Sequence, residues 1–207
     1  MRWWHEASGT GDWGVVLTHG AGGNAEAPLL KALADAFAAQ GMMVMRYDLP
    51  YREARPHGPP FPAQAAADRE GIRRAVEEMR GRVRRVIASG HSYGGRQSSI
   101  AAAEDSRMAD ALLLLSYPLH PPRKPEQMRT AHFHELRTPA FFVQGSRDPF
   151  GSVLEMEATL PMIPARTELM IVEGAPHGLS VGCVPEIVRR ACAFLQEEQR
   201  IHAESRG

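Results

Sequence analysis

From Gly14 onward, short apolar runs alternate with longer amphipathic ones. Gly14–Thr18, Met42–Arg46, Val83–Ala88, Ala111–Leu115, Ala140–Gln144 and Glu168–Val172 lack the polar alternation of a half-exposed strand. They therefore predict strands buried on both faces. Helical periods lie between them. Glu26–Gln40 sets Leu29, Leu30, Leu33 and Phe37 on one face, and Gly41 follows as a natural C-cap. Ala63–Met79 turns Ile72, Val76 and Met79 inward. Further helices are predicted over Tyr93–Ala103, Val153–Thr159 and Pro185–Gln199. Pro50, Pro56, Pro59, Pro60 and Pro62 exclude helix and central strand from the segment they occupy.

This alternation predicts an α/β fold: a mostly parallel sheet of about six strands with helices on both faces. No internal repeat or Gly/Ser linker divides the chain, so residues 1–207 read as a single domain.

Charge narrows the function classes. Lys+Arg and Asp+Glu number 24 each, so no global field draws the chain to nucleic acid or to an anionic membrane. The basic run Arg80–Arg85 reads as the charged end of a helix and a solvated turn. Cys183 and Cys192, the two cysteines, make no disulfide framework. The first residues, Met-Arg-Trp-Trp-His-Glu, lack the apolar core of a signal peptide, and Ala111–Leu115 is too short to cross a bilayer. The expectation is a cytoplasmic protein with a small-molecule partner, its oligomeric state left open.

The chemistry concentrates in Gly90-His91-Ser92-Tyr93-Gly94. Between a predicted strand and a predicted helix, this pattern makes a nucleophile elbow. The turn is so tight that side chains two before and two after the serine would collide. A serine hydroxyl needs a base, and His177 follows the last predicted strand, at the sheet edge that carries Ser92. His91 reads as a packing residue, and His5, His57 and His202 as solvated residues of loops or termini. Asp148, after the strand Ala140–Gln144, supplies the acid that orients the imidazole. The chain order Ser92, Asp148, His177 is that of α/β-hydrolases. Thr18-His19-Gly20-Ala21-Gly22-Gly23 follows the first strand and reads as an oxyanion loop. The Ala21 and Tyr93 N–H groups are the expected donors, with Gly22 the alternative if the register shifts by one. This chemistry requires no cofactor. His132-x-His134 and His120 offer no familiar metal spacing, so no metal site is assigned. Arg96, just inside the helix after the elbow, reads as a buried ion-pair anchor, with reach into the cleft as the alternative.

The runs Leu17–Gly23, Gly90–Gly95, Ser116–Pro121 and Phe142–Pro149 together resemble the dienelactone-hydrolase-like group of α/β-hydrolases. That group includes the testis-expressed and KAT8-regulatory-complex homologues, and the likeness spans about Val15 to Leu195. It implies a minimal fold with little or no lid, in keeping with the short stretch between Leu115 and Ala140. Dienelactone hydrolases proper use a cysteine nucleophile where this chain has Ser92. The expected activity is a carboxylesterase-like serine hydrolase acting on a small ester or related acyl compound through an acyl-enzyme. A non-catalytic binding module of the same fold, and a hydrolase of thioesters or peptides, are the alternatives. Tyr51, Phe61 and the proline-rich segment are expected to form one wall of an open, shallow cleft.

Overall fold

The computed structural model describes residues 2–5 and 12–204. Its seven strands are β1 (Arg2–His5), β2 (Trp13–Thr18), β3 (Met43–Tyr47), β4 (Arg85–His91), β5 (Ala111–Leu115), β6 (Ala140–Gly145) and β7 (Thr167–Val172). The helices are α1 (Pro28–Ala39), α2 (Pro50–Ala54), α3 (Ala65–Arg80), α4 (Tyr93–Glu104), α5 (Val153–Thr159) and α6 (Val184–Glu204). The sheet order is β1-β3-β2-β4-β5-β6-β7. Strands β2 to β7 are the six expected from the sequence, and they pair in parallel. The additional strand, β1, runs antiparallel along β3. It is short and lies at an edge, where the apolar run that announces a buried strand is not needed. His5 therefore belongs to a strand, and His202 to α6, rather than to loops.

Each central strand buries both faces, which explains the unbroken apolar runs. Val16, Met45, Val86, Ala88, Leu112, Leu114 and Phe142 join one core, with α3, α4 and α5 residues such as Ile72, Ala101 and Met156. Val15, Leu17, Val44, Ile87, Leu113, Phe141 and Val143 join the other, under α1 and α6. The basic run ends α3 as expected, with Arg80 paired to Asp110 and Arg84 and Arg85 paired to Asp12. Among the described residues no helix is long and apolar enough to cross a membrane.

The proline-rich segment departs from expectation, because it opens with α2. Pro50 stands at the first helical position, where the missing N–H has no helical acceptor to lose. This one-and-a-half-turn helix places Tyr51 and Arg52 beneath residues 20–23. The Tyr51 hydroxyl donates to the Gly20 and Ala21 carbonyls at 3.0 Å each. Arg52 Nε donates to Gly23 O (2.7 Å), and its Nη2 donates to Ala21 O and Gly58 O (3.1 Å each). Its Nη1 donates to Arg55 O at 3.2 Å. A buried guanidinium thus ties the loop after β2 to the proline-rich segment through backbone carbonyls. Arg52→Met removes these hydrogen bonds to backbone carbonyls, and we expect a stability loss of about 2–4 kcal/mol in urea denaturation.

A second latch holds the connection between β5 and β6 against α4. His132 Nε2 lies 2.8 Å from the Ser99 hydroxyl, which itself donates to Arg96 O at 2.9 Å. Burial, and then the Arg96 charge, push the His132 pKa down to about 4. Between the ordinary histidine value of about 6.5 and about 4, the unfolded chain binds a proton that the folded chain refuses. Acidification through that window therefore favours unfolding, and below it the loss saturates. His132→Gln removes this contribution, so its urea midpoint should fall less steeply between pH 6.5 and 4 than that of the wild type.

Candidate active site

Strand register decides which loops meet. Thr18 pairs with Gly90 across β2 and β4, so the loop His19–Gly23 leaves the sheet beside Ser92. The chain runs from β2 to β3 on one side and then resumes at β4 on the other. Such a reversal opens a crevice at the carboxyl ends of the strands. On the far side Gly145 pairs with Val172, which sets the loop carrying Asp148 against the loop carrying His177.

Ser92 sits between β4 and α4 with φ 51° and ψ −114°, a strained conformation for a residue with a side chain. Two close approaches hold it there. A Cβ on Gly90 would lie 2.4 Å from Gly95 N, and a Cβ on Gly94 would lie 2.5 Å from His19 O. The first contact closes the elbow. The second presses α4 onto the oxyanion loop, so the need for glycine at 94 comes from β2 rather than from the elbow's own strand.

The expected residues converge. The Ser92 hydroxyl lies 2.8 Å from His177 Nε2. His177 Nδ1 lies 2.8 Å and 3.0 Å from the two Asp148 carboxylate oxygens. With Nδ1–H donating to the carboxylate, Nε2 is left free to accept from serine. The buried Asp148 also accepts from Gln144 Nε2 (3.0 Å) and from Phe150 N–H (2.9 Å). The Phe150 ring lies 4.2 Å from the His177 ring, centroid to centroid, and covers one of its faces. His91 does not touch the Ser92 hydroxyl. Its Nε2 lies 3.2 Å from the His177 carbonyl, and burial lowers its pKa, which favours a neutral ring donating that bond. It is a packing residue, as expected, and it packs on the histidine loop itself.

The oxyanion loop is held from below. His19 is buried and its pKa is lowered, chiefly by desolvation. A neutral ring donates from Nδ1 to Gly20 O (2.9 Å) and accepts at Nε2 from Leu49 N–H (3.2 Å). Asp68, fully buried, accepts from Tyr51 N–H (3.0 Å) and from the Tyr93 hydroxyl (2.7 Å). Burial raises the Tyr51 pKa to about 12, so its hydroxyl keeps its proton and remains a donor to the loop. Ala21, Gly22, Ser92 and Tyr93 line one cavity with His177.

That cavity measures about 1090 Å³. It is larger than the shallow cleft expected from the short β5–β6 connection. Its walls come instead from residues 59–62, which include Phe61, and from residues 178–181. Tyr51 is not a wall residue, because it is buried behind the oxyanion loop with 1% exposure. Arg96 does reach the cavity, with Arg129 beside it on the lining, so it is more than a structural anchor. His120 and His132 are engaged elsewhere, near Glu155 (3.3 Å) and Ser99, and His134 is exposed.

Sequence reasoning missed Arg52, Asp68, Gln144, Phe150 and Arg129. Phe150 and Gln144 flank Asp148 in the sequence, which was a usable signal. The others come from distant segments, and no spacing links them to the site.

A family model described as "Alpha/beta hydrolase domain" matches residues 12–184. Among solved structures the chain is similar to TT1662 from Thermus thermophilus, at 23% identity and TM-score 0.73, covering 95% of this chain and 92% of that one. It is similar to Est1E from Butyrivibrio proteoclasticus with ferulic acid bound, at 17% identity and TM-score 0.73, covering 97% and 95%. It is also similar to a dienelactone hydrolase from Anabaena variabilis, at 17% identity and TM-score 0.73, covering 94% and 89%. With its parallel sheet, its strained elbow and a match over most of its length, this chain belongs to the alpha/beta hydrolase domain family.

Proposed function

We propose that this protein is a serine hydrolase that cleaves a small ester or related acyl compound through an acyl-enzyme. The observation that carries the reading is the continuous hydrogen-bonded row from the Ser92 hydroxyl through His177 to buried Asp148, open to a cavity. The Ser92 hydroxyl passes its proton to His177 Nε2 as its oxygen attacks the substrate carbonyl. Asp148 holds the ring and stabilises the imidazolium. The Ala21 and Tyr93 amides receive the oxyanion, with Gly22 the alternative donor on the same loop. The tetrahedral species collapses as His177 protonates the leaving group. Water, activated by His177, then attacks the acyl carbonyl and frees Ser92. The constellation completes this cycle without a cofactor.

The finer placement, within the dienelactone-hydrolase-like group that includes the testis-expressed and KAT8-regulatory-complex homologues, rests on the motif likeness. Esters head the substrate classes because the fold is shared with an esterase from Pyrococcus furiosus and a dienelactone hydrolase. A cytoplasmic location goes with this reading, since Cys183 and Cys192 are both free thiols.

A fluorophosphonate probe should label the wild type and leave Ser92→Ala and His177→Ala unlabelled. Ser92→Ala should keep the wild-type unfolding free energy in urea within about 0.5 kcal/mol while turnover of short-chain nitrophenyl esters falls at least about 10³-fold. Equal labelling of wild type and Ser92→Ala, or no labelling of folded wild type, overturns the assignment.

A further inference from the structure

Resting on that reading, we infer that Arg96 and Arg129 form an anion-recognition subsite and that the substrate is an ester carrying a carboxylate. Both side chains line the cavity that holds Ser92 and His177. Arg96 lies one helical turn beyond the nucleophile, and its N–H donates to the Ser92 carbonyl at 2.9 Å. Arg129 comes from the β5–β6 connection. The backbone there is fixed by its N–H to Leu119 O (2.7 Å) and by the Tyr117 hydroxyl, which donates to its carbonyl (2.9 Å). Two guanidinium groups from separate elements thus share one wall.

Neither guanidinium has a counter-charge among the described residues. Among the described residues no Asp or Glu carboxylate forms an ion pair with either one. Several other arginines do find acids, such as Arg46 with Glu26, Arg80 with Asp110 and Arg166 with Glu198. Glu104, on the same helix as Arg96, is taken by Arg69 and Arg73. Arg129 spends one donor on Pro118 O at 3.3 Å, a long bond to a neutral acceptor. Arg96 Nε is buried and has no hydrogen-bond partner. The Arg96 charge adds to burial in lowering the Arg129 pKa.

Half-buried like charges without a counter-ion destabilise the empty site, and a ligand carboxylate relieves that cost. The planar guanidinium fork matches a carboxylate in two parallel hydrogen bonds, which a lysine does not offer. The rest of the cavity suits an apolar body. Leu29 and Leu30 of α1 contribute from the other layer of the fold, and Pro59, Pro60 and Phe61 from the proline-rich segment. A substrate held by its carboxylate at Arg96 and Arg129, with its apolar part against these residues, spans the catalytic row.

The test uses two matched ester pairs. Mono-4-nitrophenyl glutarate against 4-nitrophenyl pentanoate places the anion on the acyl side. 4-Acetoxybenzoate against phenyl acetate places it on the leaving group. In at least one pair the wild type should favour the anionic ester by about tenfold or more in kcat/KM, with the difference falling as salt rises. Arg96→Gln and Arg129→Gln should each bring that ratio close to unity, mainly through KM, and Arg129→Lys should restore part of it. The ratio is internal to each preparation, so a partly folded variant does not distort it. A wild-type preference for the neutral ester in both pairs, or a ratio unchanged in both variants, overturns the subsite.

Fluorophosphonate labelling separates the two ideas. Labelled protein without anion selectivity sinks the subsite and leaves the hydrolase reading standing. Unlabelled, inactive protein sinks the hydrolase reading. The subsite is then decided by calorimetric titration with glutarate: binding to wild type that is lost in Arg96→Gln supports it, and no binding or equal binding refutes it.

Discussion

At Ser92 the chain leaves a strand and enters a helix within a single residue, and that reversal fixes the rest of the site. The positive φ at Ser92 is tolerated because β4 and α4 approach backbone to backbone across Gly90 and Gly95. The Ser92 N–H donates to Leu115 O (2.7 Å), which moors the strained residue to the neighbouring strand. Strain held in this way presents the hydroxyl to the cavity in a fixed position.

Everything else near the serine holds a partner at the distance the elbow dictates. The loop His19–Gly23 is gripped by Tyr51, Arg52 and the His19 ring, none of which is exposed, through the backbone carbonyls of Gly20, Ala21 and Gly23. On the opposite side, Asp148 is fixed by Gln144 and Phe150 N–H, and the Phe150 ring lies over His177. The row Ser92–His177–Asp148 is therefore held in place by the polar groups around it, with hydrogen bonds strengthened by a low local dielectric.

The absence of a lid domain moves the burden of enclosure to small segments. Residues 59–62 and 178–181 close the cavity on its apolar side, while the β5–β6 connection brings Arg129 to its polar side. Phe61, at 58% exposure, stands at the edge of this wall rather than in a packed core. Specificity in such a fold resides in these connections, because sheet and elbow are constrained by packing.

The sequence by itself determined the elements that depend on local rules. Six parallel strands were legible because strands buried on both faces must be apolar without interruption. Ser92, Asp148 and His177 were legible because each follows a predicted strand, and all parallel strands deliver their ends to one edge. Gly90 and Gly94 were legible as steric demands, although the contact that requires Gly94 comes from β2. Tertiary structure decided the rest. β1 pairs at an edge, where apolar periodicity is not required, and α2 survives its prolines because Pro50 starts the helix. Arg52, Asp68 and Arg129 reach the site from segments far apart in the chain, through register and loop docking. Their charges look in the sequence like any solvated surface residue, and only the folded chain reveals which of them are buried and what each one faces.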